Sequence, residues 1–196
     1  MKKKHFTLSN ITTWLFVAFI ASMLIFPGVK AGVIRGLMTV GLFQPKIPTV
    51  DENESIKKIA GPSFVLSDQK GQSVDIADLK GKVLFINFWA TWCPPCIAEM
   101  PSIETLFSNF KENENVVFLM IDADNNPQKS IEFMKKNKWT LPVYFPAGNI
   151  PNDYFTGTLP TTVIMDKNGN ITYNHSGTAD YSSQKFKNYL EELSKK

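Results

Sequence analysis

The first strong pattern along the chain is an uncharged apolar run. Ile11–Phe26 holds 13 apolar residues in 16, and a helix continued to Val29 would be roughly 28 Å long, close to the thickness of a bilayer core. Ala31–Phe43 stays apolar with Arg35 as its one charge. There Val33, Leu37, Met38, Gly41 and Leu42 fall near one helical face, the pattern of an interfacial helix. Gln44–Ser55 is polar, contains two prolines and reads as a linker.

Beyond Gly61 the period changes repeatedly. Phe64–Leu66 and Gln72–Ile76 flank a turn-rich stretch and predict a short hairpin. Lys82–Trp89 is a nearly continuous apolar run, the mark of a strand buried on both faces. A helix is expected from Pro94 to Lys111, a strand over Asn115–Asp122, a helix over Pro127–Asn137 and an extended segment over Leu141–Phe145. Thr161–Met165 and Ile171–Asn174 flank the turn Asp166–Gly169, and Tyr181–Lys195 closes the chain as an amphipathic helix. This alternation predicts an α/β sheet covered on both faces, mainly parallel with an antiparallel hairpin edge.

Charge divides the chain further. Six of its 21 Lys and Arg lie in the first 50 residues, which carry no acid; the other 15 face all 18 acids, a net of −3. A basic head on a mildly acidic body argues against nucleic-acid binding, which needs positive charge on the folded face. It matches a membrane-targeting segment joined to a soluble domain. With Lys2, Lys3 and Lys4 held inside, the body is sent across the membrane. The expected organisation is a basic head and transmembrane anchor at 1–29, a juxtamembrane segment and linker at 30–60, and a folded domain at 61–196. The alternative is a cleaved signal peptide ending at Val29-Lys30-Ala31, which would leave a soluble periplasmic protein.

Candidate chemistry concentrates in the two cysteines of Trp92-Cys93-Pro94-Pro95-Cys96. At a strand-to-helix junction, Cys93 meets the free amide hydrogens and positive dipole end of the helix, which stabilise a thiolate. Cys96, one turn on and facing inward, is placed to resolve a mixed disulfide. The two prolines stiffen the turn and withhold backbone donors. Zinc is disfavoured, because the only histidines are His5 and His175. A disulfide closing so small a ring adds little stability, so redox chemistry is the better reason for the pair.

Phe88–Cys96, followed by Glu99-Met100-Pro101, resembles the active site of membrane-tethered, extracytoplasmic thioredoxin-like proteins, in particular the TlpA/ResA-type thiol–disulfide oxidoreductases. Gly157–Gly169 resembles their second signature, and Gly177 matches a family glycine near the end of the last strand. The resemblance spans roughly residues 60–196. It implies a thioredoxin-like fold with a central mixed sheet, an N-terminal β-hairpin and an N-terminal transmembrane helix. It implies Cys93 as attacking and Cys96 as resolving cysteine, with no cofactor beyond this redox-active disulfide and no metal. Pro160 then corresponds to a cis-proline facing the cysteines, and Leu159 offers its backbone to an extended substrate.

Trp92, Pro94 and Pro95 complete the implied substrate surface, whereas Trp89 is expected in the core. Asn87 stands where thioredoxins proper carry a buried acid. Glu99 matches an acid that ResA-type proteins place near the cysteines for proton transfer; the alternative is an exposed first-turn charge. A peroxidatic site is disfavoured, since Ile86 occupies the place of the peroxiredoxin proline. Asp122, Asp124 and Asp153 read as turn and loop acids, and His175 as a hairpin residue. Pro146–Thr158 is either a selectivity loop or a packed connection.

The expected partners are protein thiols and disulfides and a membrane electron donor, with some relatives of this type serving cytochrome c maturation. A disulfide-forming oxidase or isomerase would use the same residues; Leu159, where strong oxidases often carry a small polar residue, stands against it. A non-catalytic thioredoxin-like peptide-binding module is the reading from a different class.

Overall fold

The structure, a computed structural model, describes residues 8–45 and 59–195. The basic head Lys2–His5 and the linker from 46 to 58 lie outside the described residues. Two helices lead the chain, α1 (Leu8–Ile25) and α2 (Pro27–Thr39). The expected single helix through Val29 does not form. Phe26 is extended, with φ −109° and ψ 110°, because the ring of a following proline pushes the preceding residue out of the α region. Pro27 then suits the first turn of a new helix, and the two axes bend by 105°. Among the described residues no single helix is long and apolar enough to cross a membrane, although the bent pair Ile11–Ile25 and Pro27–Met38 is so together.

The sheet is built from β1 (Ile59–Ala60), β2 (Val65–Ser67), β3 (Ser73–Asp75), β4 (Val83–Trp89), β5 (Val116–Asp122), β6 (Val143–Pro146), β7 (Thr161–Met165) and β8 (Asn170–Ser176). Helices α3 (Pro94–Phe110), α4 (Pro127–Asn137) and α5 (Gln184–Lys195) accompany it. The strand order is β1-β8-β7-β4-β5-β6-β2-β3. Only β4 with β5 and β5 with β6 are parallel; the other pairings are antiparallel. This corrects the expectation of a mainly parallel sheet. Parallel pairing needs a crossover, and only α3 and α4 supply one.

Every residue of β4 is buried, and its alternation splits the core in two. Val83, Phe85 and Trp89 join Cys93, Cys96, Met100 and Ile103 of the α3 side, together with Phe186 and Leu190 of α5. Leu84, Ile86 and Phe88 join Phe64, Leu66, Ile76 and Tyr154 instead. The second face is therefore covered by the N-terminal hairpin region and the connection between β6 and β7. That connection is a packed one: Tyr154 meets Phe64 edge to face at 4.8 Å, and Phe155 stacks on Phe88 at 4.6 Å.

Helix α2 also departs from expectation. It buries Ala31 and Met38 against Ala98 of α3, with Ile34, Phe43 and Ile97 packed around them, whereas Leu37 and Leu42 are exposed. The docked face takes Met38 from the expected interfacial face and leaves Leu37 and Leu42 outside.

Gly61 marks a close approach, since a Cβ there would land on the Tyr154 hydroxyl and ring. Gly61→Ala is expected to destabilise the domain by about 1–3 kcal/mol. The urea midpoint should fall, and adding Tyr154→Phe should restore part of the loss.

Candidate active site

The cysteines sit where β4 gives way to α3. After Trp89 the chain turns, with the Cys93 amide donating to the Ala90 carbonyl at 3.2 Å. Cys93 is the N-cap of α3, its backbone extended (φ −86°, ψ 103°), and Pro94 and Pro95 occupy the first turn. The Cys93 sulfur accepts from the Cys96 amide at 3.3 Å, so a helix-end donor points at it. Cys93 and Cys96 form a disulfide with their Cα atoms 5.3 Å apart. In this oxidised form Cys93 is only 3% exposed and Cys96 is fully buried.

Trp92 is 55% exposed and donates its indole N–H to Asp124 Oδ2 at 2.6 Å. Trp89 is buried, as expected. Pro94 and Pro95 are half-buried beside the disulfide. The Leu159–Pro160 bond is cis. Because Thr161 pairs with Phe88 across the sheet, Leu159 and Pro160 enter at the end of β4 that carries the cysteines, and Leu159 packs against the cluster holding both. Gly177, at φ +108°, donates to the Pro160 carbonyl at 2.8 Å, a conformation that favours glycine.

Glu99 is buried completely, which removes the exposed first-turn alternative. Its Oε1 accepts from Asn87 Nδ2 at 2.8 Å, and its Oε2 from the Ala179 amide at 3.3 Å. Asn87 also donates to Thr162 Oγ1 at 2.9 Å. Burial lifts the carboxyl from 4.5 to about 8, against the two hydrogen bonds, which favour the charged form. Tyr173 and Tyr181 complete this buried polar group. Burial raises both phenols above their ordinary range; the nearby Glu99 carboxyl adds to this at Tyr181, while at Tyr173 the interaction with Tyr181 works against it.

Sequence reasoning missed Thr162, Tyr173, Tyr181 and the Ala179 amide. A partial signal was available: Asn87 shares the β4 face of Phe85 and Trp89, and Glu99 lies one turn beyond inward-facing Cys96. Asp124, read as a loop acid, is the partner that fixes Trp92. Asp122 is a buried turn acid that accepts from the Asp124 and Asn126 amides and the Ser130 hydroxyl. His175 lies within β8, half-buried, and burial lowers its titration. Among the described residues no His, Cys, Asp or Glu group could hold a metal ion.

A disulfide-bonded cysteine pair at a helix start, with a cis-proline at the same end of the sheet and a buried carboxyl one helical turn on, defines a thiol–disulfide oxidoreductase of the thioredoxin-like class. The chain belongs to the Redoxin family, whose sequence profile matches residues 55–193. It is 35% identical over 133 residues to the thiol-disulfide oxidoreductase ResA of Bacillus cereus, spanning 67% of this chain and 75% of that protein. It is 32% identical over 166 residues to ResA of Bacillus anthracis, spanning 84% and 91%. Two solved structures show the fold. A thioredoxin-family thiol:disulfide interchange protein from Chlorobium tepidum superposes with TM-score 0.59 at 24% identity, covering 70% of this chain and 97% of that one. StoA of Bacillus subtilis does so with TM-score 0.54 at 24% identity, covering 67% and 98%.

Because Glu99 holds its proton up to about pH 8 when folded but only to about 4.5 when unfolded, the folded state binds more protons between these values. Stability should therefore fall as pH rises from about 4.5 through about 8. Glu99→Gln should flatten this slope, which urea midpoints taken at pH 5, 7 and 9 will show.

Proposed function

We propose that the protein is a membrane-attached, extracytoplasmic reductase of protein disulfides. The observation that carries this reading is the Cys93–Cys96 disulfide at the start of α3, with the Glu99 carboxyl buried one helical turn beyond it. In the reduced enzyme the Cys93 thiolate attacks one sulfur of a substrate disulfide, and the other substrate sulfur leaves as a thiolate and takes a proton. Cys96 then loses its proton and attacks the Cys93 sulfur. The Cys93–Cys96 disulfide forms, and the second substrate sulfur departs as a thiol. Two electrons have passed to the substrate.

Each residue has a distinct part. The helix end and the Cys96 amide stabilise the Cys93 thiolate. In its ionised form, which gains population as pH approaches about 8, Glu99 accepts the Cys96 proton and returns it when the pair is reduced again, and Asn87 holds the carboxyl in place. Trp92, Pro94 and Pro95 form the docking surface, and the backbone at Leu159 and Pro160 receives an extended substrate segment. Leu159 keeps that entrance apolar.

Cysteine disulfides persist in oxidising compartments, so reduction there requires electrons from a membrane partner. The exposed apolar surface of α1, including Trp14, Leu15 and Phe16, supports attachment next to such a donor. The maturation of c-type cytochromes, which needs reduced haem-binding cysteines, is the pathway to which the ResA relationship points.

Cys93→Ser should abolish reduction of insulin disulfides, while Cys96→Ser should accumulate a mixed disulfide visible on non-reducing gels. Retained turnover in Cys93→Ser would overturn the mechanism. The reduction potential of the pair should fall near about −270 mV; a value near about −120 mV would make the protein an oxidant instead.

A further inference from the structure

The segment between the first helix and the domain was expected to be a juxtamembrane stretch running into a linker. Instead, its first part is bound to the domain on the flank of the redox helix. Ala31 and Met38 of α2 are 1% and 4% exposed and close on Ala98, 1% exposed, which lies two residues beyond Cys96. The Arg35 guanidinium donates to the Ile97 carbonyl at 3.4 Å. Past the end of α2, the Phe43 carbonyl accepts from the Asp180 amide at 2.9 Å, and Pro45 is buried. A cavity of about 230 Å³ between the two parts is lined by Arg35, Met38, Ala98, Pro101 and Asp180, among others.

The contact at Asp180 is informative because of what its loop does. Residues 177–182 make up most of the connection from β8 to α5, which ends at Ser183, and three consecutive amides of this loop are committed. Ala179 donates to Glu99 Oε2, Asp180 to the Phe43 carbonyl, and Tyr181 to Ser102 Oγ at 3.2 Å. The arm therefore holds the peptide that follows the one bonded to the buried carboxyl. From the other elements Glu99 faces Asn87 of β4, Tyr173 of β8 and Tyr181 of the loop. Lys30 and Arg35 are the charged groups of the arm, and Asp180 of the loop lines the cavity beside Arg35.

We propose that the arm, residues 27–45, is a positioning clasp: docked on α3 and bonded to the 177–182 loop, it keeps the carboxyl site closed and links the membrane-proximal helices to the redox chemistry. This inference rests on the proton role assigned to Glu99 above. When the arm lifts, the loop loosens and water reaches the carboxyl. Two effects then oppose each other. Loss of the Ala179 donor raises the carboxyl titration, whereas hydration lowers it. Burial is the larger influence on this group, so the net movement is downward.

The test uses the full chain in detergent micelles, bearing Met38→Asp or, separately, Ala31→Asp. Both positions lie outside the 55–193 region matched by the family, and Met38→Leu serves as the conservative control. Backbone hydrogen exchange should rise in both 27–45 and 177–182. The inflection near pH 8 in the rate of insulin reduction should move down by about one pH unit. Met38→Leu should leave both unchanged. Faster exchange in the arm without faster exchange in the loop would overturn the clasp, as would a released arm with an unmoved inflection. A parent chain lacking any inflection would instead remove the proton role of Glu99, leaving hydrogen exchange to judge the mechanical link.

Discussion

The structure depends on β4 being buried on both faces. A strand with no solvent side must be bracketed by neighbouring strands and covered above and below, and β4 meets these demands with β5, β7 and two separate clusters of core side chains. The position of its C-terminal end is thereby determined by seven buried residues in register. The cysteines inherit that precision. Cys93 sits four residues past the last of them, on a short turn whose amide bonds back to Ala90. The cis-proline is delivered to the same end because β7 pairs with β4 through Phe88 and Thr161. Redox geometry is thus a by-product of strand packing.

Within that apolar setting one face of β4 carries a single polar side chain, Asn87. Its amide spans two neighbours, Glu99 on the helix above and Thr162 on the adjacent strand. An asparagine here has a consequence that an aspartate would not. It can hold a carboxyl by donation without adding a second negative charge, so the acid resides on the helix bearing the cysteines. In a weakly polarisable interior, a Cys96 thiolate and a Glu99 carboxylate are costly to keep charged together. Deprotonation of one favours retention of the proton by the other.

Much of this organisation was legible in the chain. The continuous apolar run at Lys82–Trp89, the turn residues at Asp166–Gly169 and the cysteine spacing each state a physical demand locally. The structure meets them with β4, with a turn in which Asp166 Oδ1 accepts from the Asn168 and Asn170 amides, and with a disulfide at a helix start. What escaped reading was non-local. Strand direction could not be told for β7, because a connection without a helix leaves no periodic trace. For Glu99 the chain left a proton-transfer acid and an exposed charge both open, because its burial depends on Tyr181 and Ala179, some eighty residues later, as well as on nearby Asn87. The break at Phe26 was local and readable, since an X–Pro pair interrupts a helix whatever the hydropathy on either side. The docking of α2 was not, because its face is chosen by Ala98, far along the chain from Ala31 and Met38.

Trp92 is the only large apolar side chain beyond residue 45 that the described structure leaves exposed, and its indole is tethered to Asp124. A fixed ring offers contact area without first having to be ordered. Immobilising a free side chain on association costs about 0.5–1.5 kcal/mol, and here that ordering precedes the encounter. The rest of the rim around the disulfide contributes no comparable apolar anchor. For the proposed substrate, association would rest on one pre-set ring and a covalent sulfur bridge, so that once resolution breaks the bridge little would remain to retain the product.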